Sequence, residues 1–328
     1  MTDKNKSYSE KMQDELEPIV NSATVADQLG KELTEMAFLS DMGAVAFTNG
    51  LKQVANPKVF LNALKYAADL GSLIVGHPQD INLSKDTSAT SSPFATLRGL
   101  PAVSTIAEKL AIDRDITLTK STKARYHADQ ITSKVGLESI REEKKRGLKI
   151  TAGTSIHHLI LNEYDIANYR TFFKLSPPLR SETDRLAIVE GLVDGDLDTI
   201  SSFHSPQDEE SKRLPYETAA SGAVGLETLL PASLKLVHDG HLTLPNLFKF
   251  ISLNPAKILG IKGGRIKRNQ PADLILFDKD IPFVMNRFHL FSKSKNTPFD
   301  EMTMQGKVLV SLVNGKTVYK SGESNIKI

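Results

Sequence analysis

The chain has no cysteine among its 328 residues. This absence excludes disulfide bonds, thiolate zinc sites and cysteine nucleophiles. The sequence also lacks an apolar run approaching the ~18 residues that a membrane span requires. Its amino-terminal residues, MTDKNKSYSEKMQDELEP, are charged throughout, without the apolar segment of a signal peptide. We therefore expect a cytoplasmic protein with no membrane partner.

The chain also has no large excess of positive or negative charge. The chain has 41 basic and 39 acidic residues, for a net charge of +2, and its densest basic run is Lys144-Lys145-Arg146. A nucleic-acid partner is therefore not expected. Hydrophobic residues make up 40% of the chain, which is enough to bury a core in one large α/β domain or in two ordinary ones.

Short apolar runs alternate with longer segments of helical periodicity between residues 18 and 205. This pattern is typical of βα units around a parallel sheet. Six strands are predicted, at residues 18–24, 44–50, 72–78, 124–131, 148–155 and 198–205. Helices are predicted at 57–71, 136–147 and 181–195, the last with Ser181 as its N-cap.

The pattern becomes β-rich after Gly260, in GGRIKRNQPADLILFDKD and MQGKVLVSLVNGKTVYKSG. Asn314-Gly315 lies between alternating apolar runs and predicts a tight hairpin turn. We therefore divide the chain into a charged segment (1–17), a βα body (18–260) and a β-rich carboxyl-terminal region (261–328).

Polar side chains follow the predicted strands, where parallel βα folds place their reactive groups. They are Asn49, His77, His127, Asp129, Gln130, His157, His158 and His204. A single histidine at a strand end is more often structural than catalytic, but several at one rim favour a metal or acid–base site. A hydrolytic zinc centre needs three or four ligands and a base, and carboxylates are scarce among these residues.

The motifs PPLRS, GLET and NPAKILG occur in this order, and with their surroundings they resemble the dihydroorotases of the amidohydrolase superfamily from about residue 39 to 319. A weaker similarity extends back to about residue 18. The resemblance implies a TIM-like (β/α) barrel with a small β-sandwich, one or two zinc ions at the barrel mouth, and reversible hydrolysis of the dihydroorotate ring. On length, about six of eight barrel strands and only the second part of the sandwich are expected here.

The metal ligands that the resemblance implies are largely replaced. The chain has no His-x-His sequence to match the ligand pair of the first barrel strand. The metal-bridging aspartate of an FTDDG-like motif matches Asn49, and a second ligand histidine matches Gln130 in YHADQIT. Only His77, in GHPQD, keeps a ligand of the family, and the glutamate of that motif is Gln79.

The general base is also replaced. A TDHAPH-like motif matches residues 202–207, so the aspartate that serves as base falls on Phe203, which can neither bind a metal nor accept a proton. The resemblance implies substrate-binding positions at Ser176, His204 and Gln207, of which only His204 keeps the family's residue type. Arg180, His157 and His158 are expected to be structural.

Three hypotheses remain open. The first is a dihydroorotase-like protein without hydrolase activity or cofactor, an oligomer with a structural or regulatory role in pyrimidine synthesis. Non-catalytic relatives of this kind hold aspartate carbamoyltransferase in an assembly, so this enzyme is the expected partner. The second is an active cyclic amidohydrolase with a rearranged zinc site drawn from His77, His127, Asp129 or His204. The third is a truncated or decaying gene product.

Overall fold

The structure is a computed structural model that describes residues 32–166 and 168–322. The strand predicted at residues 18–24 and the charged segment 1–17 lie outside the described residues. No helix in the described ranges is both long and apolar enough to cross a membrane.

A parallel sheet forms the centre of the fold, with the order β1-β2-β5-β6-β7. Its strands are β1 (Ala46–Thr48), β2 (Leu73–Gly76), β5 (Arg125–Ala128), β6 (Thr151–Ser155) and β7 (Thr199–Ser201). A separate two-stranded pair consists of β3 (Ala89–Thr90) and β4 (Ala102–Val103). Each strand of the central sheet lies inside one of the predicted segments, so the prediction of a barrel-type parallel sheet is confirmed.

Helices precede, connect and follow the strands of the central sheet. They are α1 (Met36–Asp41), α2 (Pro57–Leu70), α3 (Pro93–Leu97), α4 (Ile106–Thr122), α5 (Lys134–Lys145), α6 (Ile156–Ile160), α7 (Glu182–Val193), α8 (Glu209–Arg213), α9 (Leu229–His238), α10 (Leu244–Phe248) and α11 (Asn254–Leu259). Ser181 caps α7 by accepting a hydrogen bond from the Asp184 amide, as predicted. Gly71 ends α2 with φ +67°, which suits a residue without a Cβ atom.

The two faces of the sheet differ in chemistry because successive side chains of a strand point to opposite sides. Ile74 and Tyr126 face the helices: both are buried, and Tyr126 donates a hydrogen bond to Asp115 of α4 at 2.7 Å. The next residues along these strands, Val75 and His127, are paired in register and point to the inner face. The inner face therefore carries the strand-end polar residues that the sequence singled out.

An antiparallel sheet follows the βα body, in the order β10-β9-β8. Its strands are β8 (Leu274–Val284), β9 (Thr303–Val313) and β10 (Lys316–Lys320). Asn314 and Gly315 join β9 to β10 with φ values of +49° and +76°, both positive as a type I′ turn requires. The predicted hairpin and the β-rich carboxyl-terminal region are confirmed, whereas the residue boundaries of the domains stay a prediction.

Candidate functional site

The candidate site lies at the carboxyl edge of the parallel sheet, where β2, β5 and β7 end. Phe203 follows β7, and its ring lies between two imidazoles that the sequence analysis had named separately. The ring centroid is 6.5 Å from that of His77, with planes 12° apart, and 6.5 Å from that of His158, with planes 61° apart. The fold therefore brings the predicted ligand His77 next to Phe203, the residue at the position of the replaced base.

Phe203 is held in an unusual backbone conformation. Its φ is +45°, which is rare for a bulky residue because the side chain crowds its own backbone. Only 9% of the residue is exposed. The strained backbone therefore places the ring in a buried position against the two imidazoles. His204, the next residue, forms a bridge to Ala223, so the chain is fixed on both sides of the turn.

His77 is a buried imidazole without a hydrogen-bond partner. Neither ring nitrogen finds one in the described part of the chain. Burial lowers the pKa of His77 to about 4, because water no longer solvates the charged form. The ring is therefore neutral at pH 7, which is the protonation state that a metal ligand requires.

The two amides at predicted ligand positions have different surroundings. Gln130 is 1% exposed, with φ +61°. Its Nε2 donates to Ser201 Oγ at 2.8 Å and to Asp129 Oδ1 at 3.2 Å. Asn49 is half-buried and lines a small pocket together with His77. Both side chains are uncharged, so neither supplies the negative charge of an aspartate ligand.

The three predicted substrate-binding positions lie in the loops around this edge. Nδ1 of His204 accepts hydrogen bonds from the amides of Gly225 (3.2 Å) and Leu226 (3.4 Å), so the ring proton is on Nε2. Gln207 Nε2 donates to Ser205 Oγ at 3.3 Å. Ser176 is half-buried and precedes a cis proline. Their substrate-binding roles stay predictions.

Comparison with known proteins identifies the family. The profile of the amidohydrolase family matches residues 19–318. The chain belongs to the amidohydrolase family. The curated dihydroorotases of Ehrlichia chaffeensis and Syntrophus aciditrophicus are each 40% identical to it, over 290 and 291 residues. These alignments cover 88% and 89% of this amidohydrolase and 65% and 68% of the relatives, so the chain spans about two thirds of their length.

Solved structures show the same fold. An L-hydantoinase (dihydropyrimidinase) from Arthrobacter aurescens superposes with a TM-score of 0.80 at 24% identity, over 93% of this chain and 70% of its own. A D-hydantoinase gives a TM-score of 0.80 at 20% identity, over 98% and 76%. At these identities the likeness concerns the fold. Together with the relatives, it confirms a dihydroorotase-like amidohydrolase with a TIM-like barrel architecture.

The described residues do not supply the ligand set for the zinc that the family implies. His77 is suited to bind a metal ion, because neither of its buried ring nitrogens has a hydrogen-bond partner in the described chain. Gln130 donates through Nε2, its Oε1 is a neutral amide oxygen without a hydrogen-bond partner in the described chain, and the phenyl ring of Phe203 offers no lone pair. Within residues 32–166 and 168–322, no three His, Asp or Glu side chains are grouped so that they could hold a metal ion. Within the described residues, one imidazole and one neutral amide oxygen are too few ligands for a stable zinc site.

His127 and Asp129 form a second polar group on the inner face of β5. His127 Nδ1 lies 2.8 Å from Thr151 Oγ1, and Nε2 lies 3.5 Å from Thr199 Oγ1. Burial lowers the pKa of His127 and raises that of Asp129, and each group partly offsets the shift of the other. The histidine thus contacts hydroxyl groups of β6 and β7, which does not favour a rearranged zinc site.

Arg180 is the centre of a buried network beneath the site. Its guanidinium donates to Thr132 Oγ1 (2.9 Å), Thr90 Oγ1 (3.2 Å), Gln79 Oε1 (3.4 Å) and Glu108 Oε2 (3.2 Å). The sequence motif identifies Arg180 but gives no indication of Glu108, which lies in the first turn of α4. The only local signal for Glu108 is that its helical position places a carboxylate on a buried face.

The buried histidines make the stability of this amidohydrolase depend on pH. Burial lowers the pKa of His157 to about 4 and that of His158 to about 3, from an ordinary value of 6.5. Below pH 6.5 the unfolded chain therefore binds more protons than the folded one, and the free energy of unfolding falls as the pH drops. At pH 5 each histidine should cost roughly 2 kcal/mol relative to pH 7.

Urea denaturation of the wild type and of His157→Leu at pH 7 and pH 5 measures this effect. The variant should lose about 2 kcal/mol less than the wild type between the two pH values. His241→Gln, at an exposed position, is the control and should keep the wild-type difference. Equal losses in His157→Leu and the wild type would contradict the assignment of His157.

Proposed function

We propose that this chain is a dihydroorotase-like protein of pyrimidine metabolism that does not hydrolyse dihydroorotate and acts as a structural or regulatory partner. The observation that carries the proposal is the ring of Phe203, packed between His77 and His158. It occupies the sequence position that the resemblance matches to the general base. A phenyl ring cannot accept the proton of an attacking water, and a general base contributes about 10²–10⁴-fold to such reactions.

The surroundings of Phe203 support the same conclusion. Metal-assisted hydrolysis needs a cation that lowers the pKa of its bound water, and carboxylate ligands help to hold that cation. Gln130 and Asn49 carry no charge, and the pKa of His77, about 4, makes its imidazole a weak base. A replacement at one position could be compensated by a neighbour, but here the candidate ligand and base positions change together.

The scaffold around the altered site supports a retained non-catalytic role. Phe47, Ile74 and Ile140 are fully buried, and the helices keep their caps, as at Ser133 of α5 and Ser181 of α7. A chain that is no longer selected for folding is expected to lose its buried core residues and its helix caps. Since the curated relatives are dihydroorotases, we propose aspartate carbamoyltransferase, an enzyme of the same synthesis, as the partner.

The absence of hydrolysis is tested with the purified chain, by metal analysis and by assays of dihydroorotate hydrolysis and of the reverse ring closure. The expected result is substoichiometric zinc and no turnover above buffer, with or without added zinc. A curated dihydroorotase relative, prepared in parallel, is the positive control. Stoichiometric zinc with turnover would overturn the proposal and favour the active enzyme with a rearranged site.

The partnership needs a separate experiment. The chain is mixed with aspartate carbamoyltransferase from the same source, and the mixture is analysed by sedimentation velocity. A complex that sediments faster than either protein is expected. Unchanged sedimentation of both proteins would contradict the partnership while leaving the absence of hydrolysis unaffected.

A further inference from the structure

Two buried polar side chains line the same small pocket at the candidate site. Gln53 is 8% exposed and His77 is 6% exposed, and the pocket lies between the loop after β1 and the carboxyl end of β2. Within residues 32–166 and 168–322, Gln53 Nε2 has no hydrogen-bond partner, and neither ring nitrogen of His77 has one. Buried polar groups in folded proteins nearly always have a partner, so these atoms indicate that the pocket holds a ligand.

The size of the pocket limits what this ligand can be. The pocket measures about 10 Å³, at the lower end of the roughly 10–15 Å³ that a single buried water molecule needs. Val54 and Phe60 are buried and form apolar parts of its wall. A chloride or a hydrated metal ion is larger than one water molecule, so neither would fit without movement of the walls.

Hydrogen bonds on the helix side hold the walls in place. Arg114 Nη1 donates to the carbonyl oxygen of Val54 at 2.9 Å, in the loop that carries Gln53. Nε and Nη2 of the same guanidinium donate to Asp115 Oδ1 at 2.9 and 2.6 Å. Tyr126 donates to Asp115 Oδ2 at 2.7 Å. The loop is therefore tied to α4 and β5, which opposes a collapse of the pocket.

We propose that this pocket binds one buried water molecule, which accepts a hydrogen bond from Gln53 Nε2 and pairs with a ring nitrogen of His77. Water both donates and accepts, so it can pair with either tautomer of a neutral imidazole, whereas an anion could pair only with an N–H group. Asn49 lines the same pocket and brings a third polar side chain. A buried water typically has about three such partners.

The water molecule would connect the loop after β1 with the end of β2. His77 would then have a structural use that requires no metal, because its imidazole joins two segments of the barrel mouth through hydrogen bonds. A metal ion at the same nitrogen would have to displace the water. The water site does not depend on the proposed function, since it needs only the pocket and its polar side chains.

The test is a crystal structure of the chain at a resolution that shows ordered water molecules. One water is expected within about 3.2 Å of both Gln53 Nε2 and a ring nitrogen of His77. A pocket without water density would overturn the proposal. A direct hydrogen bond between Gln53 and His77 would do the same, as would an ion or another side chain in the pocket.

Nuclear Overhauser effects between water and the ring proton Hε1 of His77 test the site in solution, because Hε1 lies between the two ring nitrogens. The wild type should show this signal. Gln53→Met removes the donor but keeps the length of the side chain, so the signal should be lost. Gln305→Met, at an exposed position of β9, is the control and should keep it. A signal that persists unchanged in Gln53→Met, or that is missing from the wild type, would contradict the water site.

Discussion

Glu108→Gln is expected to lower the free energy of unfolding by roughly 3–5 kcal/mol, the usual effect of removing one partner of a buried ion pair. Glu108 is 0% exposed and Arg180 is 2% exposed, and their closest nitrogen–oxygen distance is 3.2 Å. Neither charge can be solvated by water where it lies. Without the carboxylate, the guanidinium would remain buried with only neutral acceptors.

The hydrogen bonds of Glu108 explain why a glutamine cannot replace it. Oε1 accepts from the amides of Thr132 (3.0 Å) and Ser133 (2.9 Å) and from Ser133 Oγ (2.8 Å). Oε2 accepts from Thr132 Oγ1 and from Arg180. Each oxygen faces a group that can only donate, the backbone amides at Oε1 and the guanidinium at Oε2, so the NH₂ group of a glutamine would face another donor in either orientation. A buried donor without an acceptor adds to the loss.

An exposed ion pair provides the control. Glu209 pairs with Arg213 at 2.7 Å, and their side chains are 73% and 68% exposed. Glu209→Gln should change the free energy of unfolding by less than about 1 kcal/mol, since such pairs contribute little in water. Urea denaturation at pH 7 measures both variants. A loss below about 1 kcal/mol for Glu108→Gln would show that the buried pair does not support the fold.

The sequence predicts the parts of the fold that depend on local patterns. The run ARYHADQI predicts a strand at 124–131, and β5 covers Arg125–Ala128. It ends early because Gln130 has φ +61°, a conformation outside the extended region. The turn at Asn314-Gly315 is predicted with its residues, because few other pairs tolerate two positive φ values. Such features need no knowledge of distant contacts.

The candidate site is less predictable, because its contacts join segments far apart in the chain. Motif matching identifies Phe203 and His77 as a replaced and a retained position, but their ring contact follows from the register of the sheet. The pairing of Glu108 with Arg180 spans 72 residues, and no local pattern indicates it. The sequence therefore shows which chemistry is missing, whereas the structure shows what fills its place.

Phe203→Asp is the change that tests the site most directly, because it restores the residue type of the family at one position. We expect no hydrolysis of dihydroorotate and no stoichiometric zinc. With His77, the new carboxylate would supply two ligands, and a catalytic zinc needs at least three from the protein. Gln130 and Asn49 would still be neutral. The backbone is not an obstacle, since aspartate tolerates a positive φ better than most residues.

The same change should destabilise the fold. Removing a buried phenyl ring typically costs about 3–5 kcal/mol, and the contacts with His77 and His158 would be lost. Phe203→Asn has nearly the same shape without the charge, so the difference between the two variants in urea isolates the cost of burying a carboxylate. We expect the aspartate variant to be the less stable of the two at pH 7.

The hydrolysis and zinc assays, together with the urea measurements, distinguish a site that has lost its metal ligands from one that keeps them. If Phe203→Asp binds zinc and hydrolyses dihydroorotate while Phe203→Asn does neither, the loss of hydrolysis is due to the side chain at position 203 alone. The zinc must then have further ligands at positions other than Asn49 and Gln130. If neither variant turns over and both are destabilised, the aromatic ring stabilises the barrel mouth without a metal. We expect the second result, because the ring already packs against the one histidine that keeps a ligand position.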